Sequence, residues 1–316
     1  SCHVLRKNTH LSSGAPLPQI GLGTWMSKPK EVENAVEYAV RNGYRHLDLA
    51  MIYENQDEVG AALKKVIPSV VKREELFITS KCWNSAHQPA EVEKELDETL
   101  KQLGRLLVHW PVAFVALDLE TSLVDTWKAM VALPESKVKA IGVSNFTIAT
   151  WTQSSLRLIV NQIEAHPLLP QDELVAYCKE KNIHITAYSP SETTVRLRIY
   201  RPAITSLFPV IGVKKLTDEP VVEEVAKKLG ATPAQVLVAW GVYRGYSVIP
   251  KSVQNERIMS NFKQVELSKE DYEKITALGA GKHTRFNIPF RYTPKWDIAL
   301  FDEPEEAGAT HKVKVV

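Results

Sequence analysis

Asp48, Tyr53, Lys81 and His109 are the side chains whose types and positions could do chemistry together. Asp48 and Tyr53 belong to the stretch GYRHLDLAMIYENQDEVG over residues 43–60, Lys81 to ELFITSKCW and His109 to RLLVHWP. A free phenol titrates at about 10, too high for easy proton exchange at neutral pH. An adjacent ammonium favours the phenolate and lowers that value, and a carboxylate beside the ammonium keeps it charged and fixed. The expectation is that Asp48 holds Lys81, Lys81 tunes Tyr53 downward, and His109 orients or polarises a substrate oxygen. That is a carbonyl-reduction site in outline: a proton donor beside a carbonyl, with hydride supplied from elsewhere. Each residue alone also has an ordinary reading. Asp48 could cap the next helix, Lys81 could point to solvent, His109 could be a satisfied core histidine, and Tyr53, Trp25, Trp83 and Trp110 could simply pack.

The elements around these residues bring them to one place. Helical stretches end near Gly or Asn and short β-branched runs follow at once. KEVENAVEYAVRNG places Val32, Ala35, Val36 and Ala39 on one helical face, with Gly43 suited to a left-handed stop. DEVGAALKKVI aligns Val59, Ala62, Leu63 and Val66 in the same way. Eight strand candidates are found in PQIGLGTW, YRHLDLA, ELFITSKCW, RLLVHWP, KVKAIGVSN, LRLIVNQIE, IHITAYSP and YSVIPKS. Strands mostly alternating with helices imply a parallel sheet, and eight such units suit a closed (β/α)₈ barrel in a single domain. An open doubly wound sheet is the second choice, but Gly21 and Gly23 lack the third glycine of a dinucleotide fingerprint. In a barrel the chemistry sits at the C-terminal strand ends. Those ends hold Trp25, Asp48, Lys81, His109, Ser144 with Asn145, Gln162 with Glu164, Tyr188 with Ser189, and Lys251 with Ser252. Charges there are expensive unless paired.

Composition narrows the function classes. Over 316 residues the chain is 44% apolar and 24% charged, with a formal net charge of +2. No strong field favours nucleic acid or an acidic membrane, and no basic stripe with interleaved aromatics is present. The cysteines Cys2, Cys82 and Cys178 are odd in number and widely spaced, so they suggest neither a disulfide framework nor a metal site. No apolar run reads as a signal peptide or a bilayer span, and the expectation is a cytoplasmic protein without membrane or nucleic-acid partners. No metal is expected. Residues 191–213 resist assignment, and the aromatic tail from Lys282 reads as an extension packed over the rest.

The segments GLGTW, GYRHLDLAMIYENQDEVG, LFITSKCWN, LLVHWP, KVKAIGVSNF, VNQIEAHP, ITAYSP and VIPKSVQNERIMSNF, in this order, strongly resemble the aldo-keto reductase superfamily, closest in look to fungal NADPH-dependent aldehyde reductases. The resemblance implies a (β/α)₈ barrel over 1–316, with an extension from about residue 282 closing the substrate pocket. It implies reduction of aldehydes and some ketones by hydride from NADPH, with Tyr53 as general acid and Asp48, Lys81 and His109 completing the tetrad. It places Gly23, Thr24 and Trp25 near the nicotinamide. Ser144, Asn145 and Gln162 would hold its carboxamide and Tyr188, beside Ser189, would stack on its ring. Lys251, Ser252 and Arg257 would bind the 2′-phosphate and Asn261 the adenine. Two cations at that phosphate favour NADPH over NADH. Trp25, Trp83, His109 and Trp110 would line the substrate pocket, closed by the tail near Phe286 and Trp296. A monomer is implied. Alternatives are a non-catalytic NADPH-binding member of the same fold, or a sugar reductase of the xylose type. The chain departs from the family pattern near 104–107, 112–119, 147–158 and 190–213, which puts the pyrophosphate cover and the substrate loop in question.

Overall fold

The computed structural model describes residues 8–102, 106–108, 121–134, 136–138, 140–152, 159–190, 215–292 and 295–313. His109, Trp110 and most of the segments that depart from the family pattern lie outside the described residues.

Eight strands form one sheet in sequence order: β1 (Leu22–Gly23), β2 (His46–Asp48), β3 (Phe77–Cys82), β4 (Leu106–Val108), β5 (Val143–Ser144), β6 (Val160–Glu164), β7 (His184–Tyr188) and β8 (Ser247–Val248). All neighbouring pairs are parallel. Parallel bridges Ile20↔Val248 and Gly23↔Lys251 join the last strand to the first, so the sheet closes on itself. The sequence expectation of a (β/α)₈ barrel therefore holds, and the open sheet is excluded.

The helices follow the predicted faces. In α1 (Glu31–Arg41), Val32, Ala35, Val36 and Ala39 are buried, as are Val59, Ala62, Leu63 and Val66 in α2 (Gln56–Val66). Gly43 takes a φ of 105° just past α1, where a side chain would be strained. Then follow α3 (Pro89–Gln102), α4 (Leu123–Val131), α5 (Ile148–Thr152), α6 (Asp172–Glu180), α7 (Pro220–Leu229), α8 (Pro233–Tyr243), α9 (Asn255–Phe262) and α10 (Lys269–Thr276). Buried against neighbours on nearly every side, α8 is fixed at its start by Thr232 and Gln235, whose side chains each bond the other's backbone N–H.

Gly21 and Gly23 have a packing reason. A Cβ on Gly21 would sit 2.7 Å from the His46 ring, and one on Gly23 would sit 2.9 Å from the Ile249 carbonyl oxygen. The two glycines let β1 approach β2 and the chain after β8 closely enough to close the barrel. Gly23→Ala should cost about 1–3 kcal/mol by overpacking. A thermal melt should show a Tm several degrees lower, with a secondary-structure spectrum that is otherwise unchanged.

The two ends of the barrel are covered differently. An antiparallel hairpin, Asn8–His10 with Pro16–Pro18, packs through Leu11 and Leu17 on Phe77 and Val160, the first residues of β3 and β6. At the opposite end the C-terminal segment folds back, pairing Ile298–Ala299 with His311–Lys312. Its Tyr292, Ile298 and Leu300 cluster with Trp83 and Trp296.

Candidate active site

Strand register aims the polar residues inward. Asp48 of β2 stands opposite Thr79 of β3, and Lys81 lies two residues farther along, on the same face of the strand. Ser144 pairs with Gln162, Gln162 with Thr186, and Glu164 with Tyr188. Their side chains meet at the C-terminal mouth, where a cavity of about 650 Å³ opens.

Asp48 is 3% exposed and Lys81 0%. Lys81 Nζ donates to Asp48 Oδ2 at 2.8 Å, to the Leu49 carbonyl at 2.7 Å and to the Tyr53 hydroxyl at 3.2 Å. The other carboxylate oxygen, Asp48 Oδ1, accepts Gln162 Nε2 at 2.7 Å. Two ions buried this deeply persist because each is satisfied by the other and by further hydrogen bonds. Asp48 caps no helix: α2 is preceded by Asn55, seven residues on. Tyr53 reaches the lysine because Met51–Tyr53 forms one tight turn after β2, ended by Glu54 at a φ of 52°. Its ring stands 6.4 Å from that of Trp25 and 5.0 Å from Lys81 Nζ.

The electrostatics differ from the sequence expectation at one point. Burial, then the Asp48 carboxylate and the Tyr188 phenol, pushes the Tyr53 hydroxyl well above its ordinary value instead of below it. The reason is geometric. Asp48 is closer to the ammonium than Tyr53 is and offsets its pull, while desolvation penalises the phenolate. Burial likewise draws the Lys81 ammonium down, against the opposing pull of Asp48.

On the facing wall, Tyr188 donates to Asn145 Oδ1 at 2.6 Å. Asn145 Nδ2 donates to Ser144 Oγ at 3.2 Å, and Ser144 Oγ donates to the Gln162 carbonyl at 2.9 Å. Gly23, Thr24, Trp25, Trp83, Ser189 and Lys251 also border the cavity. Lys251 and Arg257 are exposed cations, one just past β8 and one on α9, while Ser252 and Asn261 are buried nearby. Ser252, Arg257 and Asn261 do not line the cavity itself.

These residues suit a dinucleotide. Amide and hydroxyl groups converge beside a half-buried tyrosine ring at one end, and the exposed cations Lys251 and Arg257, suited to phosphate, lie on the side of β8 and α9. Four non-glycine residues at the cavity take a positive φ: Met26 at 55°, Glu54 at 52°, Asn145 at 64° and Ser189 at 54°. Such backbone costs about 1–3 kcal/mol per residue and concentrates at functional sites. Among the described residues no group of three or more His, Cys, Asp or Glu is placed to hold a metal ion.

The tail meets the cavity through residues the sequence did not single out. Asn287 and Tyr292 line it; Phe286 and Trp296 do not. Asn287 Nδ2 donates to the Tyr188 hydroxyl at 3.0 Å, and the Tyr292 hydroxyl donates to Asn287 Oδ1. Phe286 stacks at a tilt on His166, and Trp296 stands behind Trp83, ring centres 5.7 Å apart. Glu164 ties this segment to β6, accepting the N–H of Phe286 at 2.6 Å and of Asn287 at 2.8 Å. Burial would raise its carboxyl, but His166, Arg285 and the Phe286 N–H outweigh that and hold it below the usual range.

Comparison with known proteins agrees with this geometry. Residues 19–280 match the model of the Aldo/keto reductase family. The chain is 44% identical to the D/L-glyceraldehyde reductase of Hypocrea jecorina, over 95% of this chain and 96% of that protein. It is 40% identical to the glycerol 2-dehydrogenase (NADP(+)) of Saccharomyces cerevisiae, over 92% of this chain and 97% of that one. Among solved structures, the aldose reductase of Schistosoma japonicum superposes with a TM-score of 0.79 at 32% identity, covering 94% of this chain and 99% of that one. With a closed parallel barrel and a carboxylate, ammonium and phenol joined at its mouth, the chain belongs to the aldo/keto reductase family.

Proposed function

We propose that this chain carries out the reversible NADPH-dependent reduction of short aldehydes, and of some ketones, to alcohols, with Tyr53 as the general acid. The observation that supports it most directly is the Tyr53–Lys81–Asp48 arrangement on the wall of a cavity of about 650 Å³. When bound, NADPH supplies the hydride. The protein's own part is to hold the carbonyl oxygen near the Tyr53 hydroxyl, to keep that hydroxyl protonated, and to exclude water. A phenol raised by burial stays protonated at neutral pH, yet it is a stronger acid than the product alcohol, so it can give its proton to the alkoxide that hydride addition would otherwise leave. Lys81 orients the phenol and steadies negative charge on its oxygen as the proton leaves. His109 is assigned to orienting the carbonyl, as the family resemblance implies.

Gly23, Thr24 and Trp25 would flank the nicotinamide, Ser144, Asn145 and Gln162 its carboxamide, and Tyr188, with Ser189, its ring face. The segment from about residue 282 is read as an extension of the same domain that closes the substrate side through Asn287 and Tyr292. Substrate size is taken from the relatives, named for glyceraldehyde and glycerol. The enzyme is read as a cytoplasmic monomer without a nucleic-acid partner, in keeping with its small net charge of +2; no helix of the described residues is long and apolar enough to cross a membrane.

The test is oxidation of NADPH by DL-glyceraldehyde, followed as loss of the reduced nicotinamide absorbance. Absence of turnover with retained NADPH binding would return the non-catalytic alternative. The phosphate pocket makes a separate claim. Replacing Lys251 and Arg257 together with Ala should raise the KM for NADPH roughly tenfold or more through loss of charge-assisted phosphate contacts. The KM for NADH should stay nearly constant. Equal effects on both cofactors would remove these residues from the 2′-phosphate.

A further inference from the structure

A carboxylate outside the reacting cluster holds one wall of the cavity from behind. Trp83 directly follows β3, and its backbone N–H donates to Glu95 Oε1 on α3 at 2.7 Å. The Cys82 thiol, at the end of β3, donates to the Ala86 carbonyl at 3.4 Å. In front, Trp83 lines the cavity and meets Trp296 of the tail edge-on, with Tyr292 packed on Trp296 at 5.5 Å. We propose that Glu95 is a positioning residue for the substrate wall, fixing the Trp83 backbone and, through it, the indole and the tail that packs on it. The proposal rests on reading this cavity as the substrate site.

Glu95 is also placed to respond to pH. Burial, only partly offset by the Trp83 N–H and the Cys82 thiol, raises its carboxyl to about 7. The neighbouring charged groups are committed elsewhere. Lys94 bonds Glu91, Lys101 pairs with Glu98, and Lys128 bonds Asp125 on α4. Lys81 on β3 is turned to Asp48. His87, beyond Trp83, is buried, and desolvation lowers it to about 3, so it is neutral. Among the described residues no cation pairs with Glu95. Above about 7 the ionised carboxylate accepts the Trp83 N–H in a charge-assisted bond; below it, the neutral acid holds that N–H less strongly.

The experiment compares wild type, Glu95→Gln and Glu95→Ala. In wild type the KM for DL-glyceraldehyde should rise roughly three- to tenfold as pH falls through the neutral range, while kcat and the KM for NADPH hold steady. Glu95→Gln keeps a neutral acceptor and cannot titrate, so its KM should be independent of pH and near the wild-type value at low pH. Glu95→Ala should raise KM at every pH. Amide exchange over residues 83–88, measured without substrate, gives a readout independent of turnover: Glu95→Ala should lose protection at Trp83 that Glu95→Gln retains. An unchanged KM and unchanged exchange in Glu95→Ala, or a wild-type pH dependence of KM in Glu95→Gln, would overturn the proposal. Absent turnover in all three proteins, with exchange altered as expected, would instead count against the reductase reading alone.

Discussion

Tyr53→Phe should lower turnover by at least 10²–10⁴-fold, roughly the range spanned by loss of a general acid, while NADPH binds as before. The substitution removes one oxygen and little else. The ring keeps its place beside Trp25 and Lys81, and Lys81 keeps Asp48 and the Leu49 carbonyl as partners. Stopped turnover with unchanged quenching of protein fluorescence by NADPH would therefore isolate the proton. Activity within tenfold of wild type would require another acid. The raised value of the phenol adds a directional test. A group displaced upward from its ordinary value stays protonated through neutrality, so aldehyde reduction should not decline with pH through loss of this proton. Alcohol oxidation needs the phenolate and should accelerate as pH rises. Opposite slopes would place a different group on the proton path.

The barrel was legible because its local signals are redundant. Helices α1 and α2 carry an apolar face at helical spacing, strands such as β3, β6 and β7 hold β-branched residues, and Gly43 shows where α1 must stop. The end of the barrel was legible too, since ionisable residues concentrate where the strands finish. Asp48 could not be separated from a helix cap by inspection alone. Its role emerges only when Lys81 and Gln162, from two other strands, meet its two oxygens. Sequence shows neighbours but not burial, so it points the Tyr53 shift in the wrong direction. A nearby ammonium suggests a lowered phenol, whereas desolvation and the closer Asp48 carboxylate win.

Asn287, Tyr292 and Glu95 were not legible because nothing local singles them out. Asn287 is one polar residue in an irregular tail, aimed by the backbone bonds that Glu164 accepts more than a hundred residues earlier in the chain. KHTRFNIPFRYTPKW reads as packed over something, but its aromatic content points to Phe286 and Trp296. The lining residues are instead the ones with polar ends free to reach Tyr188 and one another. Glu95 looks like a solvated position on a charged helix until the turn after β3 lays the Trp83 N–H against it.

Lys81→Met should separate what the buried pair does for stability from what it does for chemistry. Loss of the ammonium leaves the Asp48 carboxylate buried, with Gln162 as its bond among the described residues. An uncompensated buried charge costs about 3–5 kcal/mol, which should appear as a lower midpoint of chemical denaturation. Methionine fills much of the lysine's volume, so little of that loss would come from a cavity. Turnover should fall by roughly 10²–10⁴-fold, since no positive charge remains to receive the developing phenolate. Adding Asp48→Asn removes the stranded charge, and the double variant should recover most of the stability. It should recover none of the turnover, because an asparagine beside a methionine supplies nothing to Tyr53. That split carries the argument: the two residues are coupled in folding, where either both charges or neither is tolerated, but in catalysis only the ammonium faces the phenol. A double variant that regained activity together with stability would reduce Lys81 to a structural partner of Asp48 and leave Tyr53 to act without it.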